Sequence, residues 1–370
     1  MPITPQKQIS ATTFIATNKR WTSGIVLLIA LAAASVHGQT VSAPITEVVT
    51  NYHGWDNSVS LNNGVVEAVI VPTVGRVQQF RFVGDTNGAL WENPRTLGRA
   101  PTGSGFYPNF GGDKAWPSPQ SEWGWPPPRG FDGSVCTASF TNRVVMLVTA
   151  YTYANGSTDN VDSYTITNGI VTLVTPVDAT YGIRTTRIIE LLANAPEMRV
   201  RTVFERTAES SKTNLGVWID CQATVASESR CYVPVPKSSI FPNGYTTTGS
   251  AQFTAALPLG FTNANGLISF GVNSDRVNHK VGFDGSTLLL VGPSLSLRLD
   301  TPRVPGATYP DGNSSTEVYT AGADHYFELE MLGPLAALPV GGKIEYVMTY
   351  SLSHRTEATT DAEAKKILSR

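Results

Sequence analysis

GVVEAVIV at residues 64–71, followed after the Pro72–Gly75 break by RVQQFRFV at 76–83, decides how the chain is read. Both runs are rich in β-branched and aromatic residues. Their alternation has a period of two, which puts successive side chains on opposite faces of an extended strand. The pattern returns at 144–153 (VVMLVTAYTY) and 197–206 (EMRVRTVFER). Further candidate strands lie at 181–192, 214–224, 286–292, 295–300, 325–332 and 343–352. Asn63-Gly64, Asn168-Gly169 and Asp284-Gly285 punctuate them, and Asn168-Gly169 is the clearest two-residue hairpin turn. Only 359–369 reads as a helix, with Thr360 as its cap. Many strands at short spacing without βαβ alternation mean an all-β sandwich or barrel.

At the amino end Lys19-Arg20 precedes the apolar run Ile25–Ala34, and small residues follow up to Gly38. This order is that of a secretory signal peptide over 1–38, cleaved before Gln39. An uncleaved anchor is the alternative, although the run is short for a bilayer, which takes ~20 apolar residues. The expected mature chain, 39–370, is then one large domain, secreted or periplasmic, with no membrane contact after cleavage. A formal net charge of −2 with no basic block argues against a nucleic-acid partner, and none is expected. The cysteines are Cys136, Cys221 and Cys231. Either Cys221 and Cys231 form a disulfide or all three are buried thiols. Asp311-Gly312-Asn313 looks like part of a calcium loop but lacks the spaced ligands and closing Glu, so no metal is expected. No P-loop, dinucleotide fingerprint or nucleophile elbow occurs, and no cofactor is expected.

Three constellations carry chemistry. The first is the irregular insert 101–134, which holds Trp116, Trp123 and Trp125 among Asp113, Lys114, Gln120, Glu122 and Arg129. Indole faces suit the C–H face of a sugar, and polar groups suit its hydroxyl rim. The same tryptophans would equally serve as a small core that pins the insert to the sheets. The second is the run 215–223. Its Leu215, Val217, Ile219, Cys221 and Ala223 share one face, while Trp218, Asp220 and Gln222 share the other. That second face either lines a cleft or meets solvent. The third is the run 325–331, where Tyr326, Glu328 and Glu330 share a face. Paired carboxylates there would act as base and hydroxyl acceptor, or else stand on the surface. His279, beside Lys280 in the polar run 274–280, is the most available acid.

The stretches NGVVEAVIVPTVGRVQQFRF with WENP, GGDKAWPSPQSEWGWPPP, NLGVWIDCQ, YPDGNSSTEVY and YFELEMLGPLAALPVGG run in order from Asn63 to Tyr350. In them the chain resembles an uncharacterised, largely bacterial family of galactose-mutarotase-like proteins, a domain of unknown function. The resemblance implies a β-supersandwich of two large antiparallel sheets with a sugar cleft on one of them. In mutarotases a Glu takes the proton of the anomeric hydroxyl and a His protonates the ring oxygen. Glu330 matches that base, with Glu328 as the fallback. Where mutarotases place the histidine, this chain carries Trp218, Asp220 and Gln222, a departure that speaks against ordinary aldose 1-epimerase activity. The expected protein is therefore an exported carbohydrate-binding or carbohydrate-modifying one, with epimerase- or lyase-like proton transfer as its chemistry. A noncatalytic carbohydrate-binding module for a polysaccharide is the alternative, and a structural cell-surface protein is a third reading.

Overall fold

The computed structural model describes residues 45–369, except 102–106, 133–137, 142–143, 148–150, 153–157, 160–163, 168, 248–251, 273–275 and 323–325. The expected signal segment, Cys136, Asn168 and His325 lie outside the described residues.

Ten strands form the path of the first sheet: β1 (Thr46–Tyr52), β2 (Trp55–Asn62), β3 (Val66–Val71), β4 (Arg76–Phe82), β5 (Asp113–Ser118), β6 (Asn214–Thr224), β7 (Thr246–Thr247), β8 (His279–Phe283), β9 (Thr316–Thr320) and β10 (Tyr326–Leu332). Their spatial order is β1-β2-β3-β4-β5-β6-β10-β9-β8-β7, and Ala336–Ala337 adds a short eleventh strand beside β6. The second sheet has twelve strands and is centred on Lys343–His354, with Leu295–Asp300 on one side and Glu197–Arg206 on the other. Every pairing within both sheets is antiparallel. Val217, Ile219 and Cys221 of β6 and Leu329 and Met331 of β10 share one buried cluster with Val200, Met348 and Tyr350 of the second sheet. The main core thus lies between the two sheets, as expected of a sandwich.

Polar side chains also cross this core. Asp113 of β5 accepts from Arg187 and from the Tyr350 hydroxyl, both on the second sheet. Arg76 of β4 donates to Asp132, whose other oxygen accepts from Trp116 Nε1 at 2.7 Å. Each buried charge therefore meets an opposite charge or a donor, the condition under which burial is tolerated.

Three expectations need correction. The stretch 101–134 is not an irregular insert throughout, because its centre is β5, a central strand paired along β6. Prolines at 117 and 119 disguise it, and every residue of β5 is buried, so no alternation shows. The helix spans Thr360–Leu368, and its cap is Thr359, whose hydroxyl accepts from Ala362 N–H at 3.2 Å. Cys221 and Cys231 are separate buried thiols, since one lies on β6 and the other on Arg230–Pro234 of the opposite sheet.

Candidate functional site

Antiparallel register lines up side chains across the middle of the first sheet. Lys114 of β5, Asp220 of β6, Glu330 of β10 and Glu317 of β9 are successive partners in one row. Gln222, Glu328, Tyr319 and Lys280 make the next row, and Trp116 faces Trp218 in the row on the other side. Directly opposed residues point to the same face. This face is turned away from the core, yet β6 is buried on both sides. Something therefore covers it: the segment that follows β5 and the stretch just before β8.

Between these covers lies a cleft of about 510 Å³, within the ~300–1,000 Å³ range of small-molecule sites. Its floor includes Gln222, Lys280, Glu328 and Glu330. One wall is Tyr107, Trp116, Trp125 and Trp218, and another includes Phe253, Tyr319 and Tyr326. Trp125 is 50% exposed and meets Tyr107 edge-on at 5.0 Å. Trp218 is 2% exposed, with Trp116 against its edge at 5.2 Å and the Lys280 ammonium 4.4 Å from its ring centre. Three buried polar atoms on the lining have no hydrogen-bond partner among the described residues: Tyr107 Oη, Trp218 Nε1 and Gln222 Oε1.

The electrostatics are tight. Lys280 Nζ lies 2.9 Å from Glu317 and 2.8 Å from Glu330, while Lys114 Nζ lies 2.7 Å from Asp220. Gln222 Nε2 donates to Glu328 at 2.8 Å. Burial, reinforced by neighbouring carboxylates, holds Glu328 and Glu330 well above the usual carboxylate range. Burial also raises Asp220, against the pull of Lys114, and lifts Glu317 to about 7 despite Lys280. Lys280 loses hydration too, but the facing Glu317 and Glu330 outweigh that loss and keep its ammonium above the usual lysine range. These carboxyl groups therefore keep their protons to higher pH than free carboxylates do.

Of the residues expected from the sequence, Trp116, Gln120, Trp125, Trp218, Gln222, Lys280, Glu328 and Glu330 line the cleft together. Lys114, Asp220, Trp123 and His279 do not. Lys114 and Asp220 form an ion pair beneath the lining. Trp123 packs against the core cluster and donates to Pro117 O at 2.8 Å. His279 starts β8 rather than lying in a polar loop. It is buried, with Nδ1 2.9 Å from Ala256 O, and alternation turns it to the face opposite Lys280. Glu317, Tyr319, Asn109 and Phe253 went unassigned in the sequence. The first two carried a signal: in Thr316–Thr320 they alternate with a valine, as Glu328 and Glu330 alternate with a leucine.

No family model and no curated protein matches the chain. Among solved structures, a galactose mutarotase-like protein from Lactobacillus casei ATCC 334 superposes with a TM-score of 0.50 at 11% identity, over 80% of this chain and 100% of that one. The fold is galactose-mutarotase-like. A galactose mutarotase related enzyme from Lactobacillus acidophilus gives a TM-score of 0.47 at 10% identity, over 82% of this chain and 98% of that one. Within this galactose-mutarotase-like fold, Glu330 sits at the cleft floor in an ion pair. Glu328, one pleat away, is only partly buried and reaches the open space.

Proposed function

We propose that the chain is an exported carbohydrate-binding protein whose cleft holds a sugar ring against Trp125. The observation that carries this reading is the pairing of a half-exposed indole with three buried, unpartnered polar atoms on one lining. Leaving such atoms unpaired costs about 1–3 kcal/mol each. A ligand with many hydroxyls satisfies donors and acceptors at once, and its C–H face covers the indole. The test is a glycan panel screened with the protein from Gln39 to Arg370. Saturable binding of at least one saccharide, weakened by Trp125→Ala, supports the reading, and no binding across a broad panel overturns it.

A second reading, proton transfer on the bound sugar, is favoured by Glu328. Its carboxyl is reachable from the cleft, and burial raises its proton affinity above that of a free carboxylate, the direction that suits a general acid. Polarimetry on glucose and galactose tests the simplest form. With no imidazole among the described residues of the cleft lining, mutarotation is expected to be slow. Rapid mutarotation lost in Glu328→Gln would instead establish an epimerase.

A further inference from the structure

Two lysines stand among four carboxyl groups in and just beneath the cleft floor. Lys114 is taken by Asp220, and Lys280 is shared by Glu317 and Glu330. Glu328 remains. Its hydrogen-bond partner is the neutral amide of Gln222, and no cation of the described residues is within ion-pair distance of it. It is also the carboxyl of the four that is not fully buried.

The surroundings of Glu328 suit a positive charge. Tyr107, Trp125, Phe253, Tyr319 and Tyr326 line the same space, and the negative faces of aromatic rings attract cations. Hydrogen-bond roles point the same way. An ionised Glu328 only accepts, so Gln222 donates to it through Nε2. That leaves Gln222 Oε1, on a side chain 1% exposed, as a second acceptor without a partner. Two neighbouring acceptors match a ligand atom that carries several N–H donors, and an ammonium carries three.

We infer that the cleft takes an amino sugar, a saccharide with a free ammonium group, seated between Glu328 and Gln222 Oε1 among the aromatic rings. This rests on the carbohydrate reading above. Without ligand, burial shifts Glu328 toward its protonated form. The arriving ammonium favours the ionised form of Glu328, so any proton that Glu328 holds passes to solvent on binding. Asp220 and Glu330 add to the negative potential at this point, while Lys114 and Lys280 oppose it from their own ion pairs.

The experiment is calorimetry on the protein from Gln39 to Arg370. The probes are oligomers of glucosamine and galactosamine, the same oligomers N-acetylated, and the uncharged parent sugars. The expected result is that a free-amine oligomer binds roughly tenfold or more tightly than its acetylated counterpart. Net proton release, read from buffers of different ionisation heat, should accompany it. Glu328→Gln should abolish both the preference and the release. Equal or tighter binding of acetylated or parent sugars by the unsubstituted protein overturns the inference and leaves the carbohydrate reading standing. Binding of no saccharide at all overturns both.

Discussion

A carboxyl group whose lost hydration outweighs the pull of nearby cations keeps its proton to higher pH, and four such groups lie in or just beneath this cleft. Glu317, raised from 4.5 to about 7 by burial against the pull of Lys280, sets the window. The folded state binds a proton there that the unfolded chain has already released, so stability falls as pH rises from 4.5 through about 7. Asp220, Glu328 and Glu330 are shifted the same way and add to the slope. Lys280, held high, gives up its contribution only in the alkaline range. Glu363 runs the other way: burial notwithstanding, the N–H groups of Glu357 and Thr356 hold it low, so its contribution is lost only at more acid pH. Thermal melts should therefore show a lower Tm at about pH 8 than at about pH 5. A higher Tm at the alkaline end would mean that the cluster is ionised and compensated in the folded protein. At the same scale the two tryptophans of the cleft wall part company. Trp125, half-exposed, should lose about 1–3 kcal/mol of glycan affinity as Trp125→Ala with its Tm nearly unchanged. Trp116, buried and bonded to Asp132, should lose ~3–5 kcal/mol of stability as Trp116→Ala. Denaturant titrations beside binding curves separate the two, and a large Tm loss in Trp125→Ala would make it a packing residue.

Among the elements, β5 does the most to hold the cleft. It carries Trp116 toward the open space and Asp113 toward the second sheet, where Arg187 and Tyr350 converge on it. Asp113→Ala strands the Arg187 guanidinium in the core and should cost ~3–5 kcal/mol in urea unfolding. A loss below about 1 kcal/mol would mean that water replaces the carboxylate. This strand is also the one that its own sequence hides. Strands with one polar and one apolar face announce themselves by alternation. β6 shows this at every residue from Leu215 to Ala223, and β10 puts Glu328 and Glu330 in phase. β5 is buried on both faces and punctuated by prolines, so nothing in its period separates it from a loop. The polar residues of the cleft lining were legible wherever a polar face stood opposite an apolar one. The neighbours of Lys280 were not, because only pairing across three strands brings it to Glu330. His279 was misplaced for the same local reason: its polar flanks read as a turn, while its pairing with Thr320 makes it the first residue of a strand.

At the scale of the whole molecule, the sandwich stands without a crosslink between its two free described cysteines. Cys221 and Cys231 sit in opposite sheets, and burial holds both thiols well above their ordinary range, where thiolate chemistry is suppressed. Such thiols tolerate an oxidising compartment, so their reduced state is compatible with life outside the cytoplasm. Export itself is argued from Lys19-Arg20, the apolar Ile25–Ala34 and the small residues before Gln39. The first described strand opens at Thr46, so cleavage before Gln39 would leave every strand of the cleft sheet intact. Removing the leader should accordingly cost the fold nothing: protein expressed from Gln39 should match the Tm and glycan binding of protein matured by the native cell. Mass spectrometry of the chain recovered from the native envelope or medium should find an amino terminus near Gln39. An intact Met1 on that material, or a chain confined to the cytoplasm, would end the export proposal. The cleft would then meet intracellular sugars rather than those outside the cell.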